Sequence, residues 1–344
     1  MARLAGARFP AFALRAPDAA PDRLDDPTFA RAAETRCSEA LDRGLDVVAD
    51  GSVDGLAPGA DERRQRGAVG IGLLACLFVS ALDVDKSIGP GAATLEIAYT
   101  APFDAKLKGL YRVEEEGHAY AFTQFESHFA RLAFPSFDEP RFKTPFAITV
   151  RAKEGDSVIT ATRETKKQPI EGPDDLVEWT FQETVPLPTY LIAFAVGPLD
   201  IVEFPGGTLP ANDVRKAPLP FRGVAAKGKG ERLKYALEHT GPLLTALERY
   251  FGEPYPFSKL DIIAVPDFSS GAMENVGAVT FREYLLLVDE KTAPVTQKQA
   301  FAAVMAHELA HMWFGNIVTM PWWDDIWLNE AFATWMSYKI VDEV

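Results

Sequence analysis

The chain has 344 residues, enough for two domains with ample cores, and its 47% hydrophobic and 24% charged residues are ordinary globular values. A formal charge of −14, from 35 basic and 49 acidic residues, excludes the broad basic surface that nucleic acid and anionic membranes require. Two cysteines, Cys37 and Cys76, exclude a disulfide framework and a Cys-rich zinc module, and they point to a reducing compartment.

Residues 1–66 are rich in Ala, Arg, Asp and Pro and carry no sustained period of either 2 or 3.6. Arg3, Arg8 and Arg15 occur before the first acid, Asp18, without a sustained apolar stretch, so no secretory signal is expected. Gly67 to Leu82 is an uncharged apolar run of 16 residues (82 − 67 + 1), short of the roughly 18 that span a membrane. It reads as a buried strand or helix. A cytoplasmic protein without a membrane or nucleic-acid partner is the expectation.

From about residue 91 the pattern changes. Leu95, Ile97 and Tyr99 alternate with less apolar neighbours, as do Phe146, Ile148 and Val150, and Val177, Trp179 and Phe181. Turn signals separate them at Gly89-Pro90-Gly91, Gly155-Asp156 and Gly172-Pro173-Asp174. Period-2 runs with such punctuation predict antiparallel β-structure of sandwich type. Tyr190 to Val196 reads as a central strand, and Pro205-Gly206-Gly207 as a boundary.

After Phe221 the period becomes helical. Leu233, Leu237, Leu243, Leu244 and Leu247 fit one amphipathic helix, disturbed at Gly241-Pro242. Leu260 to Val265 predicts a strand, and Val276 to Val288 one or two more. Gln297 to Phe314 is the strongest helix, with Thr296 able to cap it and Gly315-Asn316 able to end it. Asp324 or Asp325 can cap a final helix carrying Glu330.

The strongest helix carries His307, Glu308, Leu309, Ala310 and His311. Two histidines four residues apart share one helix face, one turn apart, and can grip one metal ion. Glu308 lies about 100° round the helix, too close to be idle and badly placed to be a third ligand on that face. Glu330 follows after a turn and the start of the next helix, which can lay its carboxylate beside the histidines. Two His and one carboxylate leave a coordination position open, as in a catalytic zinc site. Upstream, Gly271-Ala272-Met273-Glu274-Asn275 forms a loop in which Gly271 permits close approach of another backbone and Glu274 offers a carboxylate beside it.

That pentapeptide followed by the His-Glu-Leu-Ala-His motif and Glu330 resembles the zinc aminopeptidases of the aminopeptidase N family, a group of gluzincin metallopeptidases. Thr123-Gln124-Phe125-Glu126, Phe137-Asp138-Glu139-Pro140 with Lys143 and Phe146, Gly109 to Arg112, Tyr190 to Gly197, Val279 to Glu283 and Trp327 to Glu330 extend the resemblance. It implies an α+β chain: an N-terminal antiparallel β-sandwich-like domain over 86–205, then an incomplete thermolysin-like catalytic domain over 206–344. Residues 1–85 stand apart as an atypical, unassigned segment. It implies one Zn²⁺ per chain held by His307, His311 and Glu330, and Glu308 as general base. Glu274 is implied to bind the free amine of a peptide substrate with Glu126 assisting, while Gly271, Ala272, Met273 and Asn275 complete the substrate-binding loop. The implied reaction is removal of N-terminal amino acids by metal-activated water.

Two departures qualify these expectations. Family members continue well past the third ligand, and a tyrosine further on stabilises the tetrahedral intermediate. Tyr338 falls too soon after Glu330, on the ligand helix itself. A chain ending at Val344 is therefore expected to be truncated, and the alternative is a zinc-binding but inactive fragment or interaction module. Hydrolysis of a lipid epoxide, which one branch of the family performs, is less suited to the acidic Glu126 than an amine is. The oligomeric state and the preferred N-terminal residue are open at this stage.

Overall fold

A computed structural model describes residues 12–14, 93–95, 97 and 99–344, apart from 174. The apolar run at 67–82 lies outside the described residues, as does most of the 1–85 segment. The described residues fall into two compact units, within Pro10–Ala101 and within Pro102–Val344. In the first, β1 (Phe12–Leu14) and β2 (Ala93–Leu95) pair antiparallel, with Phe12 opposite Leu95.

The second unit opens with antiparallel β-structure, as the alternation predicts. β3 (Gly109–Glu115) and β4 (His118–Gln124) form a hairpin whose turn residues Glu116 and Gly117 both take positive φ, the twist that favours right-handed strand pairs. With β6 (Ser157–Ile159) and β9 (Ala195–Gly197) they make a four-stranded sheet in the order β3-β4-β9-β6. β5 (Thr149–Lys153), β7 (Glu164–Ile170) and β8 (Leu176–Phe181) make a second, three-stranded sheet. Along β8, Val177, Trp179 and Phe181 are buried and their neighbours less so, the period of a one-faced strand. The run Tyr190 to Val196 is not one strand: Thr189–Leu191 forms a 3₁₀ turn and only Ala195–Gly197 pairs. This turn has a use, because its carbonyls receive the Gly271–Asn275 loop.

The later part of this unit is built on a mixed five-stranded sheet in the order β10-β11-β12-β14-β13, from β10 (Leu199–Leu209), β11 (Leu219–Ala226), β12 (Leu260–Val265), β13 (Ala272–Met273) and β14 (Ala278–Arg282). β12 runs parallel to both neighbours and is buried along its whole length, which accounts for its being apolar but for one residue. Its one acid, Asp261, accepts from Arg222 on β11 and from Lys259 at 2.8–2.9 Å, so the buried charge is paired. The 205/206 boundary falls inside β10. Pro205-Gly206-Gly207 lies in a register shift between Glu203 and Thr208 on an edge strand, where a missing N–H costs no ladder bond.

The helices are α1 (Lys234–Phe251), the short α2 (Glu283–Leu286), α3 (Val295–Ala310) and α4 (Trp327–Glu343). α1 runs unbroken through the exposed Pro242, and it buries Leu237, Leu243, Leu244 and Leu247 on one face. α3 starts after Pro294 without a side-chain cap and ends at Ala310, so Thr296 sits inside the first turn and Phe314 beyond the helix. Asp324 and Asp325 form a 3₁₀ turn, Trp323–Asp325, before α4 instead of capping it. α4 buries Asn329, Ala333, Met336, Ser337 and Ile340, a stripe at helical spacing that faces α3. The Phe332 ring of α4 stacks on Phe314 at 3.8 Å.

Candidate metal centre and amine site

α3 and α4 bring the two-histidine face and Glu330 together. The Nε2 atoms of His307 and His311 lie 3.0 Å apart. Glu330 reaches them at 3.3 Å and 3.6 Å through its two carboxylate oxygens. One donor atom from each of the three residues falls within 4.8 Å of the others. The far nitrogen of each ring is engaged: His311 Nδ1 lies 3.0 Å from the Phe314 carbonyl and His307 Nδ1 3.3 Å from Thr334 Oγ1. Such outer contacts hold an imidazole in one orientation and leave Nε2 for a ligand.

The site lines one cavity of about 720 Å³. Four carboxylates meet there: Glu126 from the chain after β4, Glu274 after β13, Glu308 on α3 and Glu330 on α4. Lys and Arg are absent from the described residues lining it. Burial, then the negative charge of Glu330, pushes the Glu126 carboxyl up to about 7. Burial, then Glu126, Glu308 and Glu330, raises Glu274 well above the carboxylate range. Burial, then Glu330 and Glu126, does the same to Glu308. Burial opposes ionisation of Glu330 too, but the hydrogen bond to His307 and the proximity of the two rings, His311 and His307, outweigh it, and its pKa falls. Burial, reinforced by His307, lowers His311 to about 4, so it is a neutral imidazole at physiological pH.

Two carboxylate oxygens in this cavity, Glu308 Oε2 and Glu274 Oε1, are buried without a hydrogen-bond partner. Unpaired buried acceptors are costly, and acceptors crowded with two imidazoles fit a cation that completes them. The donor set of two nitrogens and a carboxylate oxygen suits Zn²⁺.

The Gly271–Asn275 loop alternates from Ala272 onward. Gly271, Ala272 and Glu274 line the cavity. Met273 and Asn275 do not: both are buried behind the wall. Asn275 donates from Nδ2 to the carbonyls of Tyr190 at 3.4 Å and Ile192 at 3.5 Å and accepts from Thr280 at 3.0 Å. Their side chains support the loop from behind, because adjacent side chains of an extended segment face opposite ways. Ala303, Val304 and Thr334 also line the cavity and escaped the sequence reading; Tyr338 lines it too, weighed in the sequence only as the downstream tyrosine and set aside. Helical spacing was the available signal: 303 and 304 lie one turn before His307, and 334 and 338 one and two turns after Glu330.

Comparison with known families follows the same division. The description "Peptidase M1 N-terminal domain" matches residues 77–191 and "Peptidase family M1 domain" matches 235–344. The chain belongs to the M1 peptidases, a family of zinc-dependent hydrolases. The match begins at 77, ahead of the 86 implied by the resemblance. Aminopeptidase M1-A of Oryza sativa subsp. japonica is 43% identical over 256 residues, covering 73% of this chain and 28% of that protein. Aminopeptidase M1 of Arabidopsis thaliana is 39% identical over 267 residues, 76% of this chain and 29% of that protein. The puromycin-sensitive aminopeptidase of Caenorhabditis elegans is 36% identical over 271 residues, 77% of this chain and 27% of that protein. The chain thus spans under a third of the length of these relatives. Among the described residues no helix is long and apolar enough to cross a membrane.

Proposed function

We propose that the chain carries the metal and amine sites of a zinc-dependent aminopeptidase that removes N-terminal amino acids from peptides. The observation that supports this most is the pairing, in one cavity without a basic side chain, of the His307–His311–Glu330 set with the carboxylates of Glu126 and Glu274. A cavity with this excess of acid suits a dication and, beside it, an ammonium.

His307, His311 and Glu330 would hold one zinc ion through Nε2, Nε2 and a carboxylate oxygen. When bound, zinc supplies Lewis acidity, which makes water available as a nucleophile near neutral pH and polarises a carbonyl. With a dication at the neighbouring ligands drawing its raised carboxyl back to the ionised form, Glu308 would serve as general base: its unpartnered Oε2 would take a proton from water and return it to the departing amine nitrogen. Glu274 and Glu126 bind the free α-ammonium of the substrate by charge-assisted hydrogen bonds. Gly271 and Ala272 lie along the first residue's backbone. Anchoring the amine this close to the metal ligands selects cleavage after the first residue. A lipid epoxide would leave both anchors without a partner, so the amine reading is preferred. A cytoplasmic location, consistent with two cysteines in the whole chain, completes the proposal.

The test is digestion of a ten-residue peptide and its N-acetylated twin by the zinc-loaded protein, followed by mass spectrometry. Stepwise loss from the free N-terminus with no loss from the acetylated twin is expected. Internal cleavage of either peptide, or equal trimming of both, would reject the aminopeptidase reading.

A further inference from the structure

The amine anchor and the metal ligands sit on different elements, and the segment 311–319 after α3 joins them. His311 is bonded to the Phe314 carbonyl at 3.0 Å, and the Asn316 backbone N–H donates back to the His311 carbonyl at 3.0 Å. The Asn316 side chain is 1% exposed and its Nδ2 donates to the main-chain carbonyl of Glu274 at 2.9 Å. From the antiparallel β-region, Lys143 reaches across and donates from Nζ to the carbonyls of Asn316 at 3.1 Å and Ile317 at 2.9 Å.

Asn316 makes this contact at a cost. Its Oδ1 is buried without a hydrogen-bond partner in the structure. An apolar side chain of the same size would avoid that cost but leave the Glu274 carbonyl without its donor, so the amide is held here for the Glu274 main chain. Of the Glu274 carboxylate, Oε1 has no partner, and the hydrogen bond that opposes its rise comes from the residue's own backbone N–H. What fixes the carboxylate is therefore the main chain behind it, and Asn316 is the contact that references that main chain to a metal ligand. Displacements near 1 Å in such an arrangement cost about a hundredfold in rate.

We propose that Asn316 is a positioning residue for the amine anchor: its amide sets the Glu274 main chain at a fixed distance from His311, and Lys143 holds Asn316 in register. The inference rests on the reading of Glu274 as the amine anchor. Asn316 contributes nothing to the cavity surface, so its effect is confined to ligands that carry a free amine.

Isothermal titration with L-leucine hydroxamate and N-acetyl-L-leucine hydroxamate tests this on the zinc-loaded protein. Asn316→Leu should weaken the free-amine ligand by about three- to tenfold, the worth of one net hydrogen bond, and leave the acetylated ligand and the zinc stoichiometry unchanged. Lys143→Met should act in the same direction and Lys143→Arg should restore the wild-type ratio. Equal weakening of both ligands, as general loosening would give, or no change in their ratio, would overturn the proposal. If Asn316→Leu does not fold, the Lys143→Met and Lys143→Arg pair decides by the same ratio. A wild-type protein that binds both ligands equally overturns the amine reading of Glu274 itself, an outcome distinct from an insensitive variant.

Discussion

His311 places its Nδ1 3.0 Å from the carbonyl oxygen of Phe314, three residues on. A carbonyl only accepts, so the proton of the neutral ring sits on Nδ1 and the Nε2 lone pair faces His307 and Glu330. The tautomer needed for metal binding is thus set by the turn that ends α3. Gly315 makes that turn possible: its φ is +125°, and a Cβ there would lie 3.1 Å from His311 Nδ1.

Loss of either histidine should release the metal. Loss of an outer-shell partner of a metal ligand costs about 10- to 100-fold in affinity, and loss of the ligand itself should exceed the upper figure. Zinc titration of His307→Ala and His311→Ala measures this, and stoichiometric high-affinity zinc in either variant contradicts the ligand assignment.

Glu308 has a different signature. Glu308→Gln keeps the size of the side chain and removes the base, so zinc should still bind with one ion per chain. Turnover of a leucine anilide should fall about 10²- to 10⁴-fold. Retained turnover would assign Glu308 a structural role.

The segment after the Gly271–Asn275 loop depends on Gly277. Its φ is +64°, and a Cβ there would lie 2.2 Å from the main-chain oxygen of Ala161. The neighbouring Val276 N–H donates to the Leu191 carbonyl at 3.1 Å, so the segment has no free side to move into. Gly277→Ala should cost at least about 2 kcal/mol, from left-handed strain plus the clash. Urea unfolding reads this directly, and a loss under roughly 0.5 kcal/mol would show that the segment yields.

Asp261 gives a pH dependence away from the metal. Desolvation pushes its carboxyl up, but the charges and hydrogen bonds of Lys259 and Arg222 outweigh it, leaving it below its ordinary 3.8. The unfolded chain therefore takes the proton first on acidification. The stabilisation is present above the unfolded value and is lost as pH falls through the folded one. Asp261→Asn should cost about 3–5 kcal/mol at neutral pH by leaving buried cations uncompensated, and the gap should narrow in acid below pH 3.8. A gap that is the same at pH 7 and pH 2 would contradict the pairing.

The metal helix was legible because its signal is local: the four-residue spacing of His307 and His311 fixes their common face whatever surrounds the helix. Glu330 was legible through the resemblance and the room for one turn and a new helix. The pentapeptide at 271–275 was read as one unit, but extended backbone splits it, with Glu274 facing the cavity and Asn275 bonded to Tyr190 and Ile192 behind it. The roles of Asn316 and Lys143 were not legible, since their contacts span 42 and 173 residues and leave no periodic trace. Pro205-Gly206-Gly207 misled for a related reason: the same residues that end a domain also serve a bulge on an edge strand.

The central claim concerns which acids take the metal, because the cavity offers three sets of donors: His307–His311–Glu330, Glu274–Glu308–His311 and Glu126–Glu274–Glu330. Anomalous diffraction at the zinc edge from crystals of the zinc-loaded protein separates them. The account predicts a single peak in contact with Nε2 of His307, Nε2 of His311 and the carboxylate of Glu330, leaving Glu126 and Glu274 free for an amine. A peak between Glu126 and Glu274, or none at the histidines, would contradict it.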